Sequence, residues 1–588
     1  MHFLWSAILL GLGPWLQEPT AQEAPRNVGR FSLSVDPDSL DPLKSTNTVN
    51  QVIQRQIFEG LAEPDPLARP FQVQALLAQS WEVSADGKQW TFEIREDASF
   101  YDPYEQPLWP DRRRPVYAED VVYSWLRLMD KRSASSASFV LEDLIEGLDE
   151  FRQRTGRNEK EAQQAWKEAM AGGLPGLQVL GPRKLKVRLK RPSSDFLFRL
   201  ASPYCVVYPR EAVETEGRRL SDQPIGSGPF ILVHWITKYQ AILRQTPGWR
   251  GQVCPFDPER SLPHLQEVQF TFVPEGSTRV QMFRSGALDR LPPNGANYNS
   301  LVRDGKPVPE LAEKGVRLLR QDPSGTSLLM INMDDPVLGH VPGDDVGNAK
   351  RRLLRKALAL SFPYRRWHEV LRQGVLASSS RGLLPPGVPE ADPNQDFGFR
   401  RPTRQQGVAE AKRLLTEAGY PQGKGLPALV LELQGTANIH KTMGDLIAHG
   451  WQEAGFKVQV QSNRYSEYLE KIGKGEAQCF TRGWYLDWPD SSVMLEMFYG
   501  PNASGGGINA SRFLHPEYDR LFAEFRSMPH GPKRNQLAHR MQEILFQEVP
   551  AFSIDHPIGY QLVQPWLRNV AIHPYDFFVC KYFRIQQP

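Results

Sequence analysis

The chain has 588 residues, more than the roughly 250–300 at which a single hydrophobic core stops growing, so two or three lobes are expected. Hydrophobic residues make up 40%, charged residues 23% and aromatic residues 10%, which excludes a disordered or collagen-like chain. With 70 Lys and Arg against 67 Asp and Glu, the net charge of +3 gives no argument for nucleic acid or an anionic membrane as partner.

Residues 3–16 form an apolar stretch shorter than the roughly 20 residues that span a bilayer. Thr20-Ala21 precede Gln22-Glu23, so residues 1–21 read as a secretory signal peptide cut after Ala21, which places the mature chain outside the cytoplasm. The first residues carry no Lys or Arg, and Pro19 stands three residues before the cut, so an uncleaved anchor is the alternative. Neither a lipoprotein-type cysteine nor a later membrane-spanning stretch follows.

Phe31, Leu33 and Val35 alternate with polar residues as in a strand, which turns at Asp36-Pro37-Asp38. Val52, Ile53, Ile57 and Phe58 have helical spacing and stop at Gly60. Trp81 and Val83, the turn Asp86-Gly87, and Trp90, Phe92 and Ile94 spell a hairpin. A helix is expected over 120–130 and an amphipathic strand over 184–190. Lys350, Arg351, Arg352, Arg355 and Lys356 lie among leucines, the pattern of an amphipathic helix with a solvated basic face. Beyond it, helix and strand alternate: a helix from Val408 to a C-cap at Gly419, a strand over 429–433, a helix over 439–451, a strand at Val458 and Val460, and a helix through Tyr468 and Ile472. That alternation predicts an α/β lobe.

The residues carry no complete catalytic or metal motif. His368-Glu369 begins like HExxH, but Arg372 stands where the second histidine is required. Gly423-Lys424 is followed by Gly425 instead of Ser or Thr, so the phosphate loop fails. Gly226-Ser227-Gly228 lacks the spacing of a nucleophile elbow and reads as a tight turn. Asp344-Asp345 reads as a solvated loop pair, and Gly505-Gly506-Gly507 as a flexible loop. Two glycosylation-type triplets, at Asn502 and Asn509, decide nothing. Cys205, Cys254, Cys479 and Cys580 form no CxxC pair and read as buried free thiols.

Several segments in order resemble the extracellular solute-binding protein family 5, and within it the oligopeptide- and dipeptide-binding proteins. They are Leu40-Asp41-Pro42 with Phe58-Glu59-Gly60-Leu61; Leu77-Ala78-Gln79-Ser80-Trp81-Glu82-Val83-Ser84 with Asp86-Gly87-Lys88-Gln89-Trp90-Thr91-Phe92; and Ala118-Glu119-Asp120-Val121-Val122-Tyr123-Ser124. Pro224-Ile225-Gly226-Ser227-Gly228-Pro229-Phe230 follows, then Arg355-Lys356-Ala357-Leu358, Leu383-Leu384-Pro385-Pro386-Gly387, Ala418-Gly419-Tyr420-Pro421, and Gly483-Trp484-Tyr485-Leu486-Asp487-Trp488-Pro489-Asp490. Residues 103–114 form an insertion relative to the family, and Tyr485 replaces a cysteine found in some relatives, so their disulfide is not expected.

The resemblance implies an α/β, two-lobed, type II periplasmic-binding-protein clamp with an extra subdomain. Lobe I would comprise 25–65, 190–322 and 551–588, the subdomain 66–189, and lobe II 323–550. It further implies a periplasmic monomer that captures peptides by hinge closure, without cofactor or catalytic step, and delivers them to the permease subunits of an ABC importer. Gly483, Trp484, Tyr485, Leu486 and Asp487 would line the peptide, with Asp487 on its ammonium, opposite Thr46, Asn47 and Thr48. From local sequence alone, Asp487 could be a solvated loop residue and Asp490 a helix cap near Ser491. Trp484 and Trp488 could be core, and residues 46–48 an ordinary polar loop. A binder of nickel, a sugar or an opine, or an exported hydrolase, are the competing classes.

Overall fold

The computed structural model describes residues 27–44, 48–392, 394, 396–401, 403–503, 507–575 and 579–586. The expected signal peptide, Thr46, Asn47, and Gly505 and Gly506 lie outside the described residues.

The first lobe is assembled from distant stretches of chain. The strand Val28–Leu33 runs parallel to Glu267–Phe272, which pairs antiparallel with Gln240–Gln245 and through it with Phe230–Ile236. The helix Thr48–Ile57 follows, then a short strand Glu59–Gly60 paired with Val206–Val207. The glycine turn at 225–228 closes on the end of that helix. A Cβ at Gly226 would lie 2.0 Å from the Ile57 carbonyl oxygen and one at Gly228 2.6 Å from it, so only glycine fits either position. Ser227 between them is buried, as a structural turn requires.

The hairpin forms as its alternation predicts. Ala78–Val83 and Gln89–Ile94 pair antiparallel, with Trp90, Phe92 and Ile94 buried between half-exposed polar neighbours. Lys184–Arg188 and Leu177–Gly181 extend the sheet, and the helix Ala118–Met129 belongs to the same hydrophobic cluster. The inserted segment is a closed loop between the paired strands Ser99–Tyr101 and Arg113–Pro115. The buried Asp102 carboxylate holds it by accepting from the backbone N–H groups of Tyr104 (2.9 Å) and Leu108 (2.8 Å).

The second lobe is a six-stranded sheet in the order Ala377–Ser379, Ala551–Pro557, Gly325–Ile331, Cys479–Tyr485, Leu429–Leu433, Val458–Ser462. Period-two alternation divides Gly325–Ile331 between two cores. Leu329 and Ile331 join the cluster under the helices Asp345–Leu360, Arg404–Glu417 and Asn438–Ala454, while Leu328 and Met330 join residues of Tyr465–Lys474, Pro516–Phe525 and Pro532–Glu548.

Some expectations need correction. Arg355 is not on a solvated face; it is 1% exposed, and its guanidinium donates to the carbonyls of Leu338, Gly339 and Glu548. Asp344 is the helix N-cap, accepting from Gly347 N at 2.9 Å. Asn509 is buried, and its amide donates to the Tyr499 and Phe513 carbonyls, so this triplet offers no accessible acceptor. The return to lobe I also falls later than the 550/551 boundary. Ala551–Pro557 lies in the lobe II sheet, where Phe552 and Ile554 fill its core, and the ladder to Arg317–Gln321 begins at Gly559. The chain therefore crosses between lobes at 322–324 and again at Ile558. All four cysteines are free and buried.

Candidate functional site

The strand Cys479–Tyr485 has two unequal edges. One pairs with Gly325–Ile331 along its whole length, from Cys479 opposite Ile331 to Tyr485 opposite Gly325. The other meets Leu429–Leu433 only at Cys479 and Phe480. From Arg482 to Tyr485 that second edge faces no strand among the described residues. Gly325 is required here, because a Cβ would lie 2.5 Å from the Trp484 carbonyl oxygen. Gly483 is different: nothing stands within 4 Å of its missing Cβ, so the face of the strand is open there. Leu486 is buried, and its N–H donates to Ser324 O at 2.7 Å, fixing the end of the strand. Tyr485 is 58% exposed, whereas Trp484 packs partly against the core with its indole N–H buried and unbonded.

Asp487 follows this edge as a half-buried carboxylate. Among the described residues no donor bonds it. Burial pushes its pKa up to about 6, against the opposing pull of Arg199. Tyr204, from lobe I, stands close; its phenol is hydrogen-bonded to Gln51 and is pushed up to about 12, first by burial and then by the Asp487 charge. A carboxyl shifted this way by burial is a candidate functional group.

The residues after Asp487 tie the loop to lobe I. Trp488 is buried, donates its indole N–H to Asp195 at 3.1 Å, lies beneath the Arg199 guanidinium at 4.7 Å and stacks on Phe139 at 6.3 Å. Arg199 is itself held by Asp195 at 2.7 Å. Asp490 caps the following turn, accepting from Ser492 N at 2.8 Å, but it does more. Fully buried, it accepts from Arg534 at 2.8 and 3.0 Å and from the Ser194 hydroxyl at 3.1 Å. Burial pushes its pKa up, and the Arg534 charge and hydrogen bonds, with His530 nearby, outweigh that and hold it low. Glu390 binds the same guanidinium from the other side.

Residues 483–487 thus share one strand edge and its end, and on the lobe I side Gln51, the partner of Tyr204, lies one helical turn beyond Thr48. Thr48 opens its helix, is exposed, and lines a cavity of about 200 Å³ with Arg290, His573 and Phe583, to which residues 483–487 contribute nothing. A larger cavity of about 1180 Å³ is lined by residues 41–44, 123–171 and 210–214, but its acids Asp41, Asp130, Glu159 and Glu214 are already paired with Arg127, Arg132 and Arg210. Tyr204, Arg199, Arg534 and Glu390 have no sequence signal of their own; each is far in the chain from the motif it serves. Among the described residues, no group of three or more His, Cys, Asp or Glu could hold a metal ion, and no helix is long and apolar enough to cross a membrane.

Residues 72–506 match the family model described as bacterial extracellular solute-binding proteins, family 5 Middle. The chain belongs to that family. It is similar to the periplasmic oligopeptide-binding protein OppA of Escherichia coli, at 25% identity over 557 residues, covering 92% of this chain and 88% of that protein. It is similar too to heme-binding protein A of Haemophilus influenzae, at 24% identity over 86% of this chain and 83% of that one. Among solved structures, the Escherichia coli murein tripeptide binding protein MppA has a TM-score of 0.69 at 22% identity, covering 96% of this chain and 99% of that one. These likenesses establish the two-lobed, type II binding-protein fold. The names within the family span peptides and heme, so the ligand class has to be argued from the site.

Proposed function

We propose that the protein captures peptides outside the cytoplasm by closing its lobes around them and delivers them to a permease of the ABC type. The observation that carries this reading is the half-buried Asp487 carboxylate, at the end of a strand edge, where among the described residues neither the carboxylate has a donor nor the edge a strand. A peptide supplies what both lack: backbone N–H and C=O groups for the edge, and a terminal ammonium for the carboxylate. Side chains then need only loosely fitted room, with Tyr485 and Trp484 beside the backbone. A metal would need a ligand cluster, and a neutral sugar would leave Asp487 buried without a counter-charge.

Two chain crossings between the lobes, at 322–324 and Ile558, are the short segments about which a clamp can turn. The protein works as an exported monomer that binds and releases its cargo without transforming it. Trialanine and N-acetyl-trialanine, titrated into the purified protein by calorimetry, test the reading. The free peptide should bind and the acetylated one at least tenfold more weakly. Equal binding of the two, or of neither, sinks it.

A further inference from the structure

The cavity of about 1180 Å³ has no part in peptide capture, since residues 483–487 contribute nothing to its lining. One side of it is a single helical face. Trp166, Lys167 and Met170 stand three, four and seven positions after Gln163, the spacing that brings side chains to one side of a helix. The helix Glu159–Glu168 carries the first three, and Met170 lies in the turn Ala169–Gly173, where Gly172 at φ 85° stops the helix. Leu43 and Tyr123 complete the apolar part of the lining and are 4% and 3% exposed. The Tyr123 and Trp166 rings meet at 5.5 Å, tilted by 53°. The Trp166 indole N–H is committed to Asp130 at 2.7 Å. The Tyr123 hydroxyl has no hydrogen-bond partner among the described residues. Burial first, and then the Glu214 charge, raise its pKa, so the phenol stays protonated and can donate.

The charges around this space are unevenly answered. Asp41 binds Arg127 at 2.7 Å, Asp130 and Glu159 bind Arg132 at 2.7 and 2.9 Å, and Glu214 binds Arg210. Every acid of the lining is therefore held by a guanidinium, and a cationic ligand finds no free carboxylate. Lys44 and Lys167 line the same space, and neither meets an acid among the described residues. The charge left over is positive, and it stands beside an apolar, aromatic floor with one idle hydroxyl donor. We infer that this cavity is a second binding site, for a monoanion with an apolar body, namely an acyl or aryl carboxylate. Its carboxylate takes the two lysines and the Tyr123 hydroxyl, since hydrogen bonds to an ionised acceptor are the stronger ones. Its body covers Leu43, Trp166 and Met170, which removes apolar surface from water. Small-molecule sites usually measure roughly 300–1,000 Å³, so this one has room for either body together with water. The site differs from the cleft in the sign it selects: Asp487 asks for a cation, this cavity for an anion.

Calorimetry on the protein saturated with trialanine tests this, with dodecanoate below its micelle concentration and 2-naphthoate as the acyl and aryl probes. 2-Naphthalenemethanol and 2-naphthylmethylamine are the neutral and cationic controls. At least one of the two anions should bind at one per protein, at least tenfold more tightly than both controls, and the tighter of the two identifies the body. In the double variant Lys44→Gln, Lys167→Gln that anion should bind at least tenfold more weakly, while the Lys44→Arg, Lys167→Arg pair should keep it. Both lysines are exposed, so the fold should survive, and circular dichroism checks it. Trialanine should bind the wild type and both variants equally. The inference is overturned if neither anion binds saturably, if the alcohol or the amine binds as well, or if the double Gln variant changes the anion's affinity less than twofold. Displacement of the anion by trialanine places it in the cleft and overturns it too. If trialanine itself does not bind, the peptide reading falls alone, and the same probes and variants, titrated without it, decide this site.

Discussion

Peptide affinity should depend on pH through Asp487, and the size of the effect follows from its surroundings. Burial holds the free carboxyl at about 6, and the facing groups, Tyr204 and Arg199, do not change charge between pH 5 and 7.5. An ammonium beside the carboxylate keeps it ionised far below that range, so binding selects the ionised form. About one molecule in eleven carries that form at pH 5 and nearly all do at pH 7.5. Apparent affinity should therefore rise about tenfold over this interval, or about 1.4 kcal/mol. The sign for stability is opposite. A carboxyl whose folded pKa is raised stabilises the fold below its unfolded pKa and loses that contribution as pH rises through about 6. Calorimetry in two buffers of different ionisation enthalpy counts the protons directly, and close to one should be released per peptide at pH 5. In Asp487→Asn the dependence should disappear. A flat wild-type profile, or a slope that survives in the variant, would refute the ammonium contact.

At pH 7.5, Asp487→Asn should weaken peptide binding by about 2–5 kcal/mol, and N-acetylation of the peptide should add little further loss; additive losses in the four-way cycle would disprove a direct pair. Arg534→Met leaves Asp490 and Glu390 buried without their counter-charge and should cost about 3–5 kcal/mol in urea unfolding at unchanged m-value. Since the Asp490 pKa is held low, its contribution to stability is present above about pH 4 and lost as the pH falls further, and the variant should lack that acid-dependent loss. Trp488→Phe keeps the ring but drops the bond to Asp195 between lobes, so peptide affinity should fall by about 1 kcal/mol, roughly fivefold, and an unchanged Kd would show that the contact does not favour closure. Saturating peptide should reduce the radius of gyration in small-angle scattering; no change would argue against a hinge.

The elements that the sequence determined by itself are those set by local periodicity. The hairpin around Asp86-Gly87, the strand Leu429–Leu433 and the helices Arg404–Glu417 and Asn438–Ala454 are legible because burial of one face writes a period of two or 3.6 into neighbouring residues. The glycines at 226 and 228 announced a tight turn, but only the approach of Ile57 explains why nothing larger fits. The segment 483–490 stood out as a motif, and with it Asp487. That no donor among the described residues bonds it was not legible, because that depends on what the other lobe brings near. The same holds for Arg355, whose basic neighbours suggested solvent, and for Asp490, whose local pattern showed a cap but not Arg534. The position of Ala551–Pro557 in the second lobe was equally out of reach, since an apolar alternation says that a strand is buried and not in which sheet. Charge pairing and strand order join residues tens to hundreds of positions apart, and no short-range pattern encodes such a contact. Only folding decides which charges are neutralised and which, like Asp487, meet no donor among the described residues.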